Sequence, residues 1–385
     1  MKITRIDGYP LDFPQRPAWG YAKGWVTSAP ALLIEVHTDE GISGWGEGYG
    51  PPAAVLAAIR SLCEPVAIGA DPFRTEALWG RVYHDARDFT TSGVALAALS
   101  AVDIACWDIK GKALKVPVCT LLGGPVRTEL PCYASAVRYL RDPDDSTGLA
   151  DPATLALDFV SQGFGAVKMT VGLLSPEEDL KRVRRVREAL PAGTGLMIDA
   201  NQAYTARQAT GVGLALQDLG VTWFEDPLPP DDLPGYEALR SRLTVALAGG
   251  ETLSTRVGFR EALVRHLFDI ILPETGLAGG LTECKKIVDM AYAFGVECTP
   301  HGYASAIGTA AAVHLAAALP FQPSPVRPAL LPFEYAPAPF SRLGGLMTQP
   351  FDVRDGVLRV PLDRPGLGVE IDREALKRRL EEGSR

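Results

Sequence analysis

The chain has 385 residues, 47% of them hydrophobic, with a formal net charge of −8 at pH 7 and a pI near 5.3. That length suits two domains, or one barrel-sized domain with a smaller companion. An acidic surface without a dense Lys/Arg block repels phosphate backbones, which argues against nucleic acid as a partner.

The N-terminal stretch MKITRIDGYPLDF shows neither the apolar segment nor the cleavage site of a secretory signal. The longest apolar run, TAAAVHLAAALP (309–320), is too short to span a bilayer, so no membrane partner is expected. The cysteines form no C-x-x-C pair and sit in apolar surroundings. Reduced, buried thiols in a cytoplasmic protein are the expectation.

Residues 31–48 (ALLIEVHTDEGISGWGEG) predict a β-hairpin around an Asp-Glu-Gly turn. Residues 94–114 carry apolar side chains at helical spacing. Near residue 130 the pattern becomes a regular alternation. Short β-rich runs are expected at 131–136, 165–170, 195–200, 221–225, 244–251, 267–274, 295–301 and 329–334. Helical segments separate most of them. In SPEEDLKRVRRVREAL (175–190), Ser175 caps the helix, Pro176 takes the first position and Glu178 completes a capping box. In LTECKKIVDMAYAF (281–294) the helix is closed by Gly295. Strands and helices in this alternation predict a parallel sheet closed into a TIM-like barrel. The rival, a doubly wound open sheet, usually offers a Gly-rich phosphate turn after its first strand, and none is present. The tail, 351–371, returns to a hairpin-like β pattern suited to pairing with the N-terminal domain.

The barrel strands share one trait: each apolar run ends in a charge. Lys168, Asp199, Glu225, Glu251, Glu274, His301 and Glu334 close the second to eighth strands in turn. Strand C-termini of a parallel barrel converge on one mouth, where these folds build active sites. Asp199, Glu225 and Glu251, evenly spaced by one strand-plus-helix unit, cannot sit together uncompensated. All-oxygen ligation suits a hard cation, best Mg²⁺, one per subunit. Such an ion flanked by Lys168 and His301 suits removal of a proton next to a carboxylate, with the substrate a small-molecule carboxylate. Tyr21 and Trp25, in the Gly-rich segment 20–28, are candidates for a substrate lid, with an ordinary surface loop as the alternative. His314, in an Ala-rich helix, reads as a packed core histidine, and Trp107 and Asp108 as structural.

Several segments carry a resemblance. ALSAVDIACWDIKGKALKVPVCTLLGG (98–124), LMIDANQAYT (196–205), WFEDPLPPDDL (223–233), LAGGET (247–252) and DIILPETGLAGGLTE (269–283) contribute to it, with TPHGYASAIG (299–308) and PGLGVEID (365–372). Together they resemble the enolase superfamily: its mandelate racemase/muconate lactonizing enzyme family and mandelate racemase subgroup. The flavour is nearest the sugar-acid dehydratases and galactarolactone cycloisomerase. The resemblance implies an α/β fold, a (β/α)₇β barrel (129–345) under an α+β capping domain. That cap is formed by residues 1–128 and by a returning C-terminal segment, 346–385. It implies Mg²⁺ on Asp199, Glu225 and Glu251, with Asn201 beside the substrate. It also implies a histidine–carboxylate dyad, a homo-oligomer and acid-sugar metabolism.

Three positions depart from the family pattern. His301 matches the histidine, but Glu274 stands where an aspartate is usual, so reaching the imidazole requires the backbone or rotamer to adjust. The second strand ends Lys168-Met169-Thr170 rather than with two cations. Lys168 is placed to neutralise a substrate carboxylate, and Thr170 only to hydrogen-bond. The eighth-strand electrophile falls on Glu334 or Pro332, depending on register. With a base on one face only, dehydration of an acid sugar or cycloisomerisation of its lactone from the His301 side is the expected reaction. Racemisation or epimerisation of a 2-hydroxy or amino acid, and a catalytically silent metal-binding barrel, are the alternatives.

Overall fold

A computed structural model describes residues 1–145, 148–320, 331–342 and 345–383. The chain opens with an antiparallel sheet of β1 (Ile3–Tyr21), β2 (Gly24–Thr38) and β3 (Ser43–Gly48). There follow α1 (Pro52–Ala58), a π-helical turn (Ile59–Cys63), α2 (Glu64–Ala67), α3 (Thr75–Ala86), α4 (Val94–Leu114) and α5 (Val118–Leu121). The hairpin expected at 31–48 is the β2–β3 pair, and the helix expected at 94–114 has those bounds. The long β1 was not anticipated. Pro10, Pro14 and Pro17 interrupt its sequence, and the ladder with β2 shifts register between Pro14 and Trp19.

Helix α4 is buried on nearly every side because two layers compete for it. One side carries β3, whose glycines let the backbones touch: a Cβ on Gly46 would lie 1.9 Å from the Ala101 carbonyl oxygen. The other side meets the barrel.

The barrel follows as seven strand–helix units and a final strand. Its parts are β4 (Glu129–Val137) with the short β5 (Tyr139–Leu140), α6 (Pro152–Ser161), β6 (Ala166–Thr170) and α7 (Pro176–Ala189), then β7 (Gly195–Asp199) and α8 (Ala206–Asp218). Next come β8 (Trp223–Glu225), α9 (Leu233–Arg240), β9 (Ala246–Gly249), α10 (Thr255–Val264), β10 (Ile270–Ile271), α11 (Gly280–Ala293), β11 (Glu297–Cys298), α12 (Ala306–Ala317) and β12 (Phe333–Tyr335). Parallel ladders run β11-β10-β9-β8-β7-β6-β4, and β12 joins β4 on its other side. Between β11 and β12 the Thr299 hydroxyl donates to the Pro332 carbonyl at 3.3 Å. Residues 329 and 330 of the expected eighth strand lie outside the described residues. The capping box on α7 is present as read, and Gly295 takes the left-handed conformation just past α11.

The tail forms a hairpin, β13 (Val353–Arg354) and β14 (Val357–Arg359), that pairs with the first residues of the barrel strand β4. Only beyond it does the chain reach the N-terminal sheet. Its last helix, α13 (Arg373–Gly383), starts with Arg373 gripping the buried Glu35 by two bonds of 2.6 Å.

Hydrogen bonds at several points lock the cap to the barrel, the ladder of Trp19 and Gly20 on β1 with β5 among them. Carboxylate Glu47 on β3 caps α12, accepting from the Ser305 and Gly308 amides at 2.9 and 2.7 Å and from the Ser305 hydroxyl. On α4, Ser100 and Asp103 accept the Gly279 and Thr282 amides at the start of α11, both at 2.9 Å. Trp79 and Trp107 donate their indole N–H groups to the same turn. Among the described residues no helix is long and apolar enough to cross a membrane.

Candidate active site at the barrel mouth

Strand alternation builds the site in layers. The lowest inward layer is apolar: Tyr133, Ala166, Met197, Trp223, Ala248 and Ile270 fill the barrel. Two residues on, the same strands point Lys168, Asp199 and Glu225 inward, and Thr170 follows at the rim. An apolar run ending in charge is therefore a strand leaving a packed floor for an open mouth.

Lys168 is the hub of the inner layer. Its Nζ lies 2.6 Å from Glu225 Oε1, 2.9 Å from Glu334 Oε1 and 3.7 Å from Asp199 Oδ2. Glu334 sits within β12 opposite Tyr133, whereas Pro332 precedes the strand, so it is Glu334 that faces the interior. Glu225 Oε2 accepts the Trp223 indole N–H at 2.9 Å. Burial, then repulsion from Asp199, Glu334 and Glu251, pushes the Glu225 carboxyl up to about 8 despite the lysine. Burial would lower Lys168, but Glu225 and Glu334 hold it well above its ordinary value.

His301 forms the second centre. Its Nδ1 lies 2.5 Å from Glu274 Oε2, so the glutamate does reach the imidazole. The other oxygen, Glu274 Oε1, accepts the Gly276 amide at 2.6 Å, which fixes the carboxylate plane. The free face of the ring, Nε2, is 3.3 Å from Glu251 and 3.8 Å from Glu334. Burial alone would lower this histidine; Glu334 and Glu251, then Glu274, outweigh it and raise it to about 10.

These groups border a cavity of about 290 Å³ between the mouth and the cap, which suits a small polar ligand. Lys168, Thr170, Asp199, Asn201, Glu251, His301 and Glu334 line it, and Glu225 and Glu274 stand behind them. Asn201, in left-handed backbone conformation, donates its amide groups to Asp199 at 2.8 and 3.0 Å. Tyr21 lines the cavity from the β1–β2 hairpin tip. Trp25 does not line it, contrary to expectation. It pairs with Gly20, one residue from Tyr21, so alternation turns it to the other sheet face, where Arg141 stacks on it at 4.6 Å.

Other lining residues escaped the sequence reading, among them Trp19, Lys23, Tyr49, Tyr303 and two arginines, Arg138 just past β4 and Arg342 in the segment after β12. Arg138 obeys the strand-end rule that found the others. Arg342 carries no such signal. Thr170 Oγ1, Asn201 Oδ1, and the Nε groups of Arg138 and Arg342 are buried without a hydrogen-bond partner, as is Asp226 Oδ2 just behind. His314 is fully buried in α12, its Nδ1 accepting the Cys119 amide at 3.3 Å.

The donor set fits a hard divalent cation. Asp199, Glu225, Asp226, Glu251 and Glu334 crowd a buried region held by Lys168 and His301, and burial, then repulsion among these carboxylates, raises the carboxyls of Glu225, Asp226 and Glu251. Among the described residues no three His, Cys, Asp or Glu side chains already stand as a metal's ligands would. Lys168 and His301 contact carboxylate oxygens of Glu225 and Glu251, at 2.6 and 3.3 Å.

A two-domain enzyme with a capped (β/α)₇β barrel and a lysine–carboxylate–histidine mouth is the class that this geometry defines. Residues 12–123 match the mandelate racemase/muconate lactonizing enzyme N-terminal domain, and residues 151–375 the enolase C-terminal domain-like family. The chain belongs to that family, within the enolase superfamily of lyases and isomerases. It is 35% identical over 379 residues to the D-galactarolactone cycloisomerase of Agrobacterium fabrum, covering 98% of each chain. It is 33% identical to the arabinonate dehydratase of Saccharolobus solfataricus, covering 88% of each. A racemase from Streptomyces coelicolor A3(2), solved with bound magnesium, superposes with a TM-score of 0.86 at 29% identity, over 98% of this chain and 99% of that one.

Proposed function

We propose that the protein removes the proton α to the carboxylate of an acid sugar or its lactone, and then expels a β oxygen. The reaction is a dehydration or a cycloisomerisation, as in the cycloisomerase and dehydratase to which the chain is similar. The single observation that carries this reading is the His301–Glu274 contact of 2.5 Å, with Nε2 turned to the cavity.

A carboxylate can only accept, so Glu274 keeps the proton on Nδ1 and leaves the Nε2 lone pair for the substrate. Glu251 and Glu334 hold the ring protonated while their charge is uncompensated. With that charge neutralised, Nε2 takes the α-proton and returns it to the departing oxygen as acid. Lys168 neutralises the substrate carboxylate from below, and Thr170 and Asn201 orient it by hydrogen bonds. On the Thr170 side a hydroxyl cannot serve as a second base at neutral pH, which separates this reading from a two-base racemase.

Asp199, Glu225 and Glu251 would hold Mg²⁺. When bound there it would stabilise the negative charge that builds on the substrate's carboxylate oxygens. The assembly is proposed as a cytoplasmic homo-oligomer.

The test is His301→Asn, followed by α-proton exchange into solvent deuterium across a panel of acid sugars and lactones with Mg²⁺. Exchange is expected in the wild type and loss of at least about 1,000-fold in the variant. Full exchange without His301 would overturn the assignment.

A further inference from the structure

The mouth chemistry uses one cation, Lys168, for one carboxylate, yet two arginines also line the same cavity, with the exposed Lys23 at the hairpin tip. Arg138 is almost fully buried and Arg342 half-buried. They converge on one ring: their guanidinium carbons lie 4.6 and 4.4 Å from the centroid of Tyr303. Arg138 is also braced by Trp19 at 3.8 Å and Phe340 at 5.7 Å. Among the described residues neither guanidinium forms an ion pair with a carboxylate, and the Nε of each is a buried donor without an acceptor.

The acids within electrostatic reach are already engaged. Glu334 holds Lys168 and the Gly302 amide, and Asp199 holds the backbone and side-chain amides of Asn201. Glu47 holds Ser305 and Gly308. Burying a guanidinium without a counter-charge is costly, and arginine cannot shed its proton to escape that cost. Sugar hydroxyls would not offset it. A carboxylate would, because it accepts parallel N–H bonds from the guanidinium fork.

We propose that Arg138 and Arg342 form a second anion subsite, and that the substrate is a dicarboxylate: an aldaric acid or its monolactone. The reacting carboxylate faces Lys168, and the remote carboxylate is clasped by the arginine pair against Tyr303. This rests on the α-proton chemistry proposed above and narrows it from acid sugars in general to diacids.

The test compares a hexaric acid with the hexonic acid of the same configuration, which differ only in the remote carboxylate. Binding is read by calorimetry with Mg²⁺, and exchange in deuterium oxide is read separately. In the wild type the hexarate is expected to bind at least about 30-fold tighter, the worth of a charge-assisted bidentate contact. Arg342→Met is expected to shrink that ratio below about 3, and Arg342→Lys to restore part of it. Arg138→Lys serves as the second variant, because methionine there risks disturbing Trp19.

Equal binding of the two acids, a ratio unchanged in Arg342→Met, binding of neither acid, or tighter binding of a hexonic acid 6-phosphate would each overturn the subsite. Exchange without discrimination would sink the subsite and leave the base assignment standing. Discrimination without exchange would do the reverse.

Discussion

Replacing Glu274 by glutamine tests the dyad with almost no change of volume. Glu274 Oε1 accepts the Gly276 amide at 2.6 Å, a bond that only an oxygen can take. In the glutamine variant the amide oxygen therefore stays with Gly276, and the NH₂ group faces His301 Nδ1, 2.5 Å away in the native protein. A donor there forces the histidine proton onto Nε2, the nitrogen that must be free to act as base. Loss of the charge-assisted bond alone is worth roughly 1.5–3 kcal/mol, or about 10- to 150-fold in rate. The inverted tautomer adds to this, and the comparable change in a serine protease triad costs about 10⁴. Glu274→Gln is thus expected to slow α-proton exchange, followed by proton NMR in deuterium oxide, by about 10² to 10⁴ with little change in Mg²⁺ affinity. A rate within about threefold of wild type would refute the dyad.

Asp199→Asn removes a carboxylate from the proposed cation site and should weaken Mg²⁺ binding by at least about 100-fold in calorimetry, since even outer partners of metal ligands cost 10- to 100-fold; unchanged affinity would remove Asp199 from the ligand set. His314 is held down to about 4 by burial. The unfolded chain binds a proton that the native chain refuses between pH 6.5 and 4, so stability falls as pH falls through that window, by on the order of 3 kcal/mol at most. His314→Gln should flatten this part of the pH–stability curve measured by denaturant titration. Gly46→Ala would drive a Cβ to within 1.9 Å of the Ala101 carbonyl oxygen, backbone against backbone. A loss of about 3 kcal/mol is expected from the denaturation midpoint, and a neutral result would contradict the close β3–α4 contact.

Much of the barrel was legible because period and punctuation agreed. Helix α7 announces itself by Ser175, Pro176 and Glu178, and α4 by an apolar pattern that runs its full length. The strand-end charges were legible for a topological reason: parallel strands all deliver their last residue to the same face. What escaped lies where that logic stops. The strand β1 is broken by prolines and held by β2, a partner that no local pattern reveals. Trp25 was misplaced because sequence shows that a hairpin tip is aromatic but not which face each ring takes. Arg342 lies beyond the last barrel strand, in a segment packed against Tyr303. The glutamate at the dyad was readable, but not its reach, which depends on the turn that places Gly276 beneath it.

The bonds from Glu47 to the start of α12 and from Ser100 and Asp103 to the start of α11 flank the histidine dyad on both sides. A cap riveted there cannot swing as a rigid door without pulling on the two turns that aim His301 and Glu274. The β1–β2 ribbon is itself tied to the barrel by the ladder of Trp19 and Gly20 with β5, so traffic in and out is left to the short turn beyond it, around Tyr21 and Lys23. Selectivity can then be retuned at that ribbon end by ordinary substitution, while the rivets keep the proton-transfer geometry constant from one substrate to the next.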